Sequence, residues 1–225
     1  MRYPYLALFA LALGGLGLGG AKALADAGAT VASPPATIEL FNGKDLTGWS
    51  FVRNPDTDLA TVCSVKDGVM VVTGQPKGFL QLVSPPPGNY SIHFEYRWTS
   101  QNPKNNSGLL VDISSGPVQQ GIWPTCFQIQ NKTQRAGDVI PMGGATCAEV
   151  PTGKTQADRQ APASEKPVGQ WNSIDTTVSG DTVTCSVNGV AQNKVTHCQP
   201  HTGKLGFQLE GYPYEMRNIY LVPLP

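Results

Sequence analysis

One segment, residues 90–99, carries the pattern that most restricts how this chain can fold. Apolar and polar side chains alternate along it: Ile92, Phe94, Tyr96 and Trp98 are apolar, and His93, Glu95 and Arg97 are polar. Successive side chains of a β-strand point to opposite faces of a sheet, so a period of two gives one apolar and one polar face. The segment is therefore predicted to be a strand with its apolar face in the core.

Several other short segments carry the same strand signal. Alternating runs rich in Val, Ile, Thr, Tyr and Phe are separated by turn dipeptides such as Asn188-Gly189, a strong hairpin signal. Gly (25) and Pro (19) are abundant, and amphipathic helical runs are nearly absent. The chain is therefore predicted to be an all-β sandwich or barrel. Its 225 residues suffice for one domain with a full core.

The N-terminus has the form of a secretory signal. Arg2 precedes a short apolar run at residues 6–18, and Ala23-Leu24-Ala25 fits an A-x-A cleavage site. We therefore predict a signal peptide over residues 1–25, a flexible segment over 26–36 and the folded domain over 37–225. The apolar run is short for a membrane span, although a retained anchor is the alternative. The mature protein is predicted to be exported, periplasmic or secreted, and not to associate with a membrane.

Charge and cysteine content limit the partners and cofactors. Lys plus Arg equals Asp plus Glu, 16 each, so the chain has no basic field for nucleic acid. Export would permit disulfides among the five cysteines. The favoured pair is Cys126–Cys147, which would close the long loop between them; a Cys185–Cys198 bridge would need a bend in the chain. Because no His/Cys cluster suggests zinc, no metal site or cofactor is predicted, although a divalent cation, for example calcium at Asp138, stays open.

Polar residues at alternate strand positions are the candidate site residues. Gln208 and Glu210 share one face of a strand near the C-terminus, and Arg217 lies in the strand that follows. With the polar residues of two upstream strands, they are predicted to form one basin on a concave sheet face: Glu95, Arg97, Gln128, Gln130, Gln208, Glu210 and Arg217. The alternative is an ordinary solvated sheet face with cross-strand ion pairs.

Eight motifs over residues 38–224 occur in an order typical of one family. They are LFNGKDLTGW (40–49), FEYRW (94–98), NSG (106–108), WP (123–124) with FQIQ (127–130), AGD (136–138), WN (171–172), VNG (187–189) and FQLEG (207–211) leading to RNI (217–219). This order resembles the 3-keto-disaccharide hydrolase domain family. The resemblance implies a concanavalin-A-like jelly roll of two antiparallel sheets, the concave one binding carbohydrate.

The resemblance also implies action on sugars oxidised at C3. A ketone at C3 acidifies the C2 proton, so the glycosidic bond can leave by elimination and water can add back. This chemistry needs a base for the C2 proton and a donor for the enolate oxygen. Glu210 is predicted to be the base and Arg217 the enolate stabiliser, with Glu95 completing the catalytic centre.

The remaining candidates are predicted to bind the sugar: Arg97, Gln128, Gln130, Gln208, Trp123 and Asp138. The family pattern usually carries a glutamate where Gln128 stands, and a glutamine can hydrogen-bond a sugar but cannot take a proton. This departure favours the alternative function, a non-catalytic carbohydrate-binding module. A third possibility is a structural domain that binds another protein through the loop 131–170. The sequence leaves the oligomeric state open.

Overall fold

A computed structural model describes residues 36–225, which form a series of β-strands. The predicted signal peptide, and residues 26–35 of the segment predicted to be flexible, lie outside the described residues. The strands are β1 Ile38–Glu39, β2 Trp49–Val52, β3 Cys63–Lys66, β4 Val69–Val72, β5 Gly78–Leu82, β6 Tyr90–Trp98, β7 Gly108–Ile113, β8 Cys126–Gln130, β9 Val139–Met142, β10 Asn172–Ser179, β11 Thr182–Val187, β12 Val190–Val195, β13 Lys204–Leu209 and β14 Tyr214–Pro223. A short 3₁₀ helix spans Leu59–Thr61. Within residues 36–225, no helix has the length and hydropathy needed to cross a membrane.

The strands form two antiparallel sheets. The larger sheet has eight strands in the order β12-β11-β10-β6-β14-β4-β3, with β1 paired to β14. The smaller sheet has six strands in the order β2-β5-β13-β7-β8-β9. Strands from distant parts of the chain lie side by side in both sheets, as expected for a jelly roll. The predicted fold, an all-β jelly-roll sandwich of two antiparallel sheets, is confirmed.

The main core fills the space between the two sheets. Alternate residues of β6, from Tyr90 to Trp98, are buried, which confirms the predicted alternation. Phe94 of β6 meets Phe207 of β13 edge-on, with ring centroids 4.9 Å apart. Because β6 and β13 belong to different sheets, this contact shows that their apolar faces point towards each other.

Part of the outer face of the six-stranded sheet is also buried. Every residue of β7 and β8 is buried. Leu109 and Val111 join the core between the sheets, whereas Leu110 points the other way. A second apolar cluster covers part of that outer face and consists of Phe79, Leu110, Ile113, Trp123, Cys126 and Met142.

The turn between β13 and β14 carries the chain from one sheet to the other. β13 pairs with β5 and β7, whereas β14 pairs with β4 and β6. Gly211 in this turn has φ 101°, and its N–H donates to the Gly74 carbonyl at 2.8 Å. A Cβ on Gly74 would lie 2.1 Å from the Tyr212 carbonyl oxygen, so this close approach of two backbones requires glycine.

The structure does not form the predicted Cys126–Cys147 bridge. All five cysteines are buried thiols. Cys126 belongs to the outer cluster of the six-stranded sheet, whereas Cys147 belongs to the core between the sheets. The two thiols are therefore not brought together. The Cys185 thiol faces the Gly137 carbonyl at 3.5 Å.

Candidate functional site

The structure divides the predicted polar basin between the two sheets. Glu95 and Arg97 lie on β6 and Arg217 on β14, all in the eight-stranded sheet. The remaining members lie on or directly after strands of the six-stranded sheet: Gln128, Gln130, Gln208 and Glu210. The apolar neighbours of both sets point into the shared core, so the polar side chains point outward on opposite sides of the sandwich. The prediction of a single basin is therefore wrong.

The outer face of the eight-stranded sheet carries cross-strand ion pairs. Arg217 Nε lies 2.7 Å from Glu95 Oε2, and Arg97 Nε lies 2.5 Å from Glu215 Oε2. Both guanidinium groups lie over the Trp171 ring, at 4.6 Å for Arg97 and 4.1 Å for Arg217 from its centroid. We call these five residues the ion-pair face.

The Glu95 carboxylate of the ion-pair face is hydrogen-bonded to Arg217 and Asn218. Partial burial acts to raise the pKa of Glu95, but hydrogen bonds from Asn218 and Arg217 and the charge of Arg217 lower it overall. Both carboxylate oxygens of Glu95 accept a hydrogen bond, one from Arg217 and one from Asn218. The arrangement matches the ordinary alternative, in which partly exposed ion pairs each contribute about 0–1 kcal/mol. Arg217 and Glu210 lie on opposite sides of the sandwich, so they cannot act on the same substrate as stabiliser and base.

The outer face of the six-stranded sheet carries a chain of hydrogen-bonded amides. Gln128 Nε2 donates to Gln130 Oε1 at 2.8 Å and to Gln208 Oε1 at 2.8 Å. Gln208 Nε2 donates to Glu210 Oε2 at 2.6 Å, and Lys77 Nζ lies 3.0 Å from Glu210 Oε1. We call Gln128, Gln130, Gln208 and Glu210 the glutamine cluster.

Glu210 fixes the orientation of every amide in the glutamine cluster. An ionised carboxylate only accepts hydrogen bonds, so Gln208 must turn Nε2 towards it and Oε1 towards Gln128. Gln128 must then direct Nε2 towards both neighbouring oxygens. Two atoms of the cluster are left without a hydrogen-bond partner among residues 36–225, the acceptor Gln128 Oε1 and the donor Gln130 Nε2. Neither atom is fully buried, and the two residues as a whole are 2% and 6% exposed.

The NSG motif at residues 106–108 builds the floor of the glutamine cluster. A Cβ on Gly108 would lie 2.6 Å from Gln128 Cγ, so glycine lets the glutamine lie across the strand. Ser107 Oγ donates to the Gln208 carbonyl at 2.7 Å and joins β7 to β13. The sequence pattern identified this motif but not its structural role, and it did not identify Lys77. Lys77 is 133 positions from Glu210, and no local pattern links the two.

Trp123 and Asp138 occupy structural positions. Trp123 is 4% exposed and packs in the apolar cluster beside the glutamine cluster, so its ring is covered. Asp138 is 1% exposed and accepts from the Arg159 N–H at 2.8 Å, from Gln156 Nε2 at 3.2 Å and from Arg135 Nε at 2.5 Å. Its carboxylate therefore holds the loop 131–170 together. In residues 36–225, no three His, Cys, Asp or Glu side chains are grouped closely enough to hold a metal ion.

An open depression continues along the same face of the six-stranded sheet. It encloses about 370 Å³ and is lined by Val52, Gln81, Ile113, Lys204 and residues 114–116. Lys204 and Gln208 are four residues apart on one face of β13, a span of about 13 Å. Polar groups are therefore available at two points of one elongated surface.

Solved structures similar to this chain include jelly-roll glycosidases and carbohydrate-binding modules, in agreement with the fold class. A candidate glycosyl hydrolase from Parabacteroides distasonis aligns with TM-score 0.62 and 22% identity, over 84% of this chain and 95% of its own. The carbohydrate-binding module CBM66 from Bacillus subtilis aligns with TM-score 0.57 and 8% identity, over 79% of this chain and 96% of its own. The β-glucanase of Bacillus licheniformis aligns with TM-score 0.54 and 12% identity, over 86% of this chain and 100% of its own.

The family is shown by the sequence itself. The chain belongs to the 3-keto-alpha-glucoside-1,2-lyase-like domain family, whose model matches residues 36–222. The resemblance noted from the eight motifs is thereby confirmed. No match was found among curated proteins.

Proposed function

We propose that the protein binds a 3-keto-α-glucoside at the glutamine cluster and cleaves it by elimination, with Glu210 as the base. The observation that carries this proposal is that Gln128 Oε1 and Gln130 Nε2 have no hydrogen-bond partner within residues 36–225 and lie on a surface that also holds a carboxylate. Family membership supplies the substrate class, since the family is described by its likeness to a 3-keto-alpha-glucoside lyase.

A fixed acceptor beside a fixed donor suits a sugar. Each sugar hydroxyl both donates and accepts a hydrogen bond, so one hydroxyl can bind Gln128 Oε1 and its neighbour can accept from Gln130 Nε2. The amides are 2% and 6% exposed, so they lose little side-chain entropy when they bind. The depression near Lys204 would receive the second sugar ring.

The elimination uses one carboxylate and no nucleophile. Glu210 takes the proton from C2, and the electron pair of that bond moves towards the C3 carbonyl to give an enolate. The carbonyl then re-forms, the pair makes a C1=C2 double bond, and the bond from C1 to the glycosidic oxygen breaks. The departing oxygen receives a proton from Glu210 or from water. Gln130 Nε2 is the free donor that can stabilise the enolate oxygen, in place of Arg217, which lies on the other sheet.

The second candidate is a carbohydrate-binding module without catalysis. It is favoured by Gln128, an amide at the position where the family pattern has a glutamate and at the centre of the hydrogen-bonded chain. In this case Glu210 would serve only to orient the amides.

Calorimetry and product analysis with 3-ketotrehalose distinguish the two candidates, with unoxidised trehalose as the reference ligand. We expect release of glucose together with an unsaturated keto-sugar. Glu210→Gln keeps an acceptor for Gln208, so it should leave binding nearly unchanged but lower turnover by about 100-fold or more. Glu215→Gln, the same change on the ion-pair face, is the matched control and should alter neither quantity.

Each other outcome has a definite meaning. Binding of 3-ketotrehalose without product by the wild-type protein supports the binding module. Turnover that is equally fast in Glu210→Gln removes Glu210 from the role of base. Absence of binding to both sugars contradicts the glutamine cluster as a carbohydrate site.

A further inference from the structure

Two cysteines lie directly opposite each other in a short ladder that the catalytic proposal does not use. Thr146 N donates to the Gln199 carbonyl at 2.9 Å, and Gln199 N donates back to the Thr146 carbonyl at 2.8 Å. Residues that exchange both bonds form a hydrogen-bonded antiparallel pair, so the next residues, Cys147 and Cys198, face each other as a non-hydrogen-bonded pair. Cα atoms of such pairs are about 4.5 Å apart, within the range of about 4.4–6.8 Å for disulfides.

The backbone directions and side-chain positions agree with this pairing. The Cys198 N–H points away from residue 147 and donates to the Asp181 carbonyl at 2.9 Å. Both cysteine side chains are buried in the same core cluster, Cys147 at 7% exposure and Cys198 at 0%. The two thiols are therefore on the same side of the ladder.

We propose that Cys147 and Cys198 form a disulfide that fastens the long loop 143–171 to the segment between β12 and β13. Without a covalent bond, the attachment depends on backbone hydrogen bonds between Thr146 and Gln199 and from Ala148 to the Thr196 carbonyl. The Glu149 carboxylate adds two more, from Thr196 N and Oγ1, both at 2.8 Å. The other cysteines lie opposite residues that cannot bridge to them: Cys63 opposite Val72, Cys126 opposite Met142 and Cys185 opposite Asn193.

The oxidation requires a disulfide-containing partner. With glutathione disulfide, the two thiols lose two protons and two electrons, the sulfur–sulfur bond forms, and two molecules of reduced glutathione leave. Burial raises the pKa of Cys198 to about 12, and nearby Cys147, Asp112, Glu149 and Asp181 act in the same direction. Because thiol–disulfide exchange proceeds through the thiolate, the folded thiols react slowly and the bond must form while the chain folds. The predicted export to an oxidising compartment would supply such conditions.

The test is refolding of the full chain in a mixture of reduced and oxidised glutathione, followed by alkylation of free thiols in denaturant and peptide mass spectrometry. We expect a cross-linked peptide containing Cys147 and Cys198, with Cys63, Cys126 and Cys185 alkylated. Alkylation of all five cysteines at every glutathione ratio, a glutathione adduct on Cys147 or Cys198, or a different cross-link would overturn the proposal.

Two variants serve as controls. Cys126→Ser should keep the Cys147–Cys198 cross-link, because Cys126 lies in the outer apolar cluster. Cys147→Ser should give no cross-link and leave Cys198 alkylated. The pairing would also be contradicted if Cys198 were cross-linked to a third cysteine in both Cys147→Ser and the wild type.

Discussion

Replacement of Gln128 by the glutamate of the family pattern tests the ordered amide chain directly. In Gln128→Glu, residue 128 loses the Nε2 donor that now serves Gln130 and Gln208. The Gln130 amide can turn and donate to the new carboxylate. Gln208 cannot turn, because its Oε1 would then face the Glu210 carboxylate.

The loss of stability in Gln128→Glu follows from this difference between Gln130 and Gln208. One buried acceptor on Gln208 is left without a donor, which costs about 1–3 kcal/mol. A carboxylate is also buried at a site only 2% exposed, near Glu210, with Lys77 offsetting part of the repulsion. We expect a total loss of about 2–4 kcal/mol in the free energy of unfolding at neutral pH.

The loss should depend on pH. When the carboxyl at position 128 is protonated, its O–H can donate to Gln208, so the folded state favours the protonated form and raises the carboxyl pKa. A raised acid pKa gives stability that is present at low pH and lost as pH rises through the folded value. The deficit of the variant relative to the wild type should therefore be large at about pH 8 and small at about pH 4, near the ordinary pKa of Glu.

Urea unfolding at the two pH values measures this deficit. Gln81→Glu is the matched control, because Gln81 lies on the same sheet face beside the open depression. Its effect should stay within about 0.5 kcal/mol at both pH values. A variant as stable as the wild type at pH 8, or a deficit that does not change with pH, would refute the ordered chain.

Three further predictions concern the cysteines, a buried acid and a glycine. The Cys147–Cys198 bond closes a loop of roughly 50 residues and should add about 4 kcal/mol, so reductant should lower the melting temperature of the wild type but not of the double serine variant; equal melting temperatures of oxidised and reduced wild type would contradict it. Burial raises the pKa of Asp112 to about 6 despite the opposing effect of His201, so the folded state favours the protonated carboxyl and loses stability as pH rises and the carboxyl ionises. Asp112→Asn, which cannot ionise, should therefore raise the free energy of unfolding by up to about 3 kcal/mol at pH 8 and change it little at pH 4, measured by urea unfolding. Gly108→Ala should cost about 1–3 kcal/mol and weaken 3-ketotrehalose binding in calorimetry, because the added Cβ would displace Gln128, whereas Gly88→Ala, with open space around it and away from the proposed site, should do neither.

Periodicity along the chain predicted the strands but not their sheets. The alternation in β6 and the Asn188-Gly189 turn were sufficient to identify a strand and a hairpin, since both signals are local. The sheet to which a strand belongs depends on pairing across long stretches of chain. Gln208 and Arg217 are close in sequence, yet the turn at Gly211 places them on opposite sides of the sandwich.

The site was predictable only in part for the same reason. Gln128, Gln130, Gln208 and Glu210 were identified because polar residues on apolar strands are conspicuous, and the structure brings them together. Glu95, Arg97 and Arg217 carry the same local signal but belong to the ion-pair face. Trp123 is buried, and Asp138 accepts hydrogen bonds from its own loop. Both facts depend on tertiary packing, which a local sequence pattern does not predict.

The ordered amides have a consequence for how the specificity of this surface could change. The outward acceptor on Gln128 and the outward donor on Gln130 both depend on one hydrogen-bond acceptor two strands away, the Glu210 carboxylate. If a hydrogen-bond donor replaced that carboxylate, Gln208, Gln128 and Gln130 would each rotate by half a turn about the last side-chain bond. The surface would then offer a donor where it now offers an acceptor, and the reverse, while the backbone stayed in place. Inverted ligand preference could thus arise from a single substitution at a residue that touches neither hydroxyl.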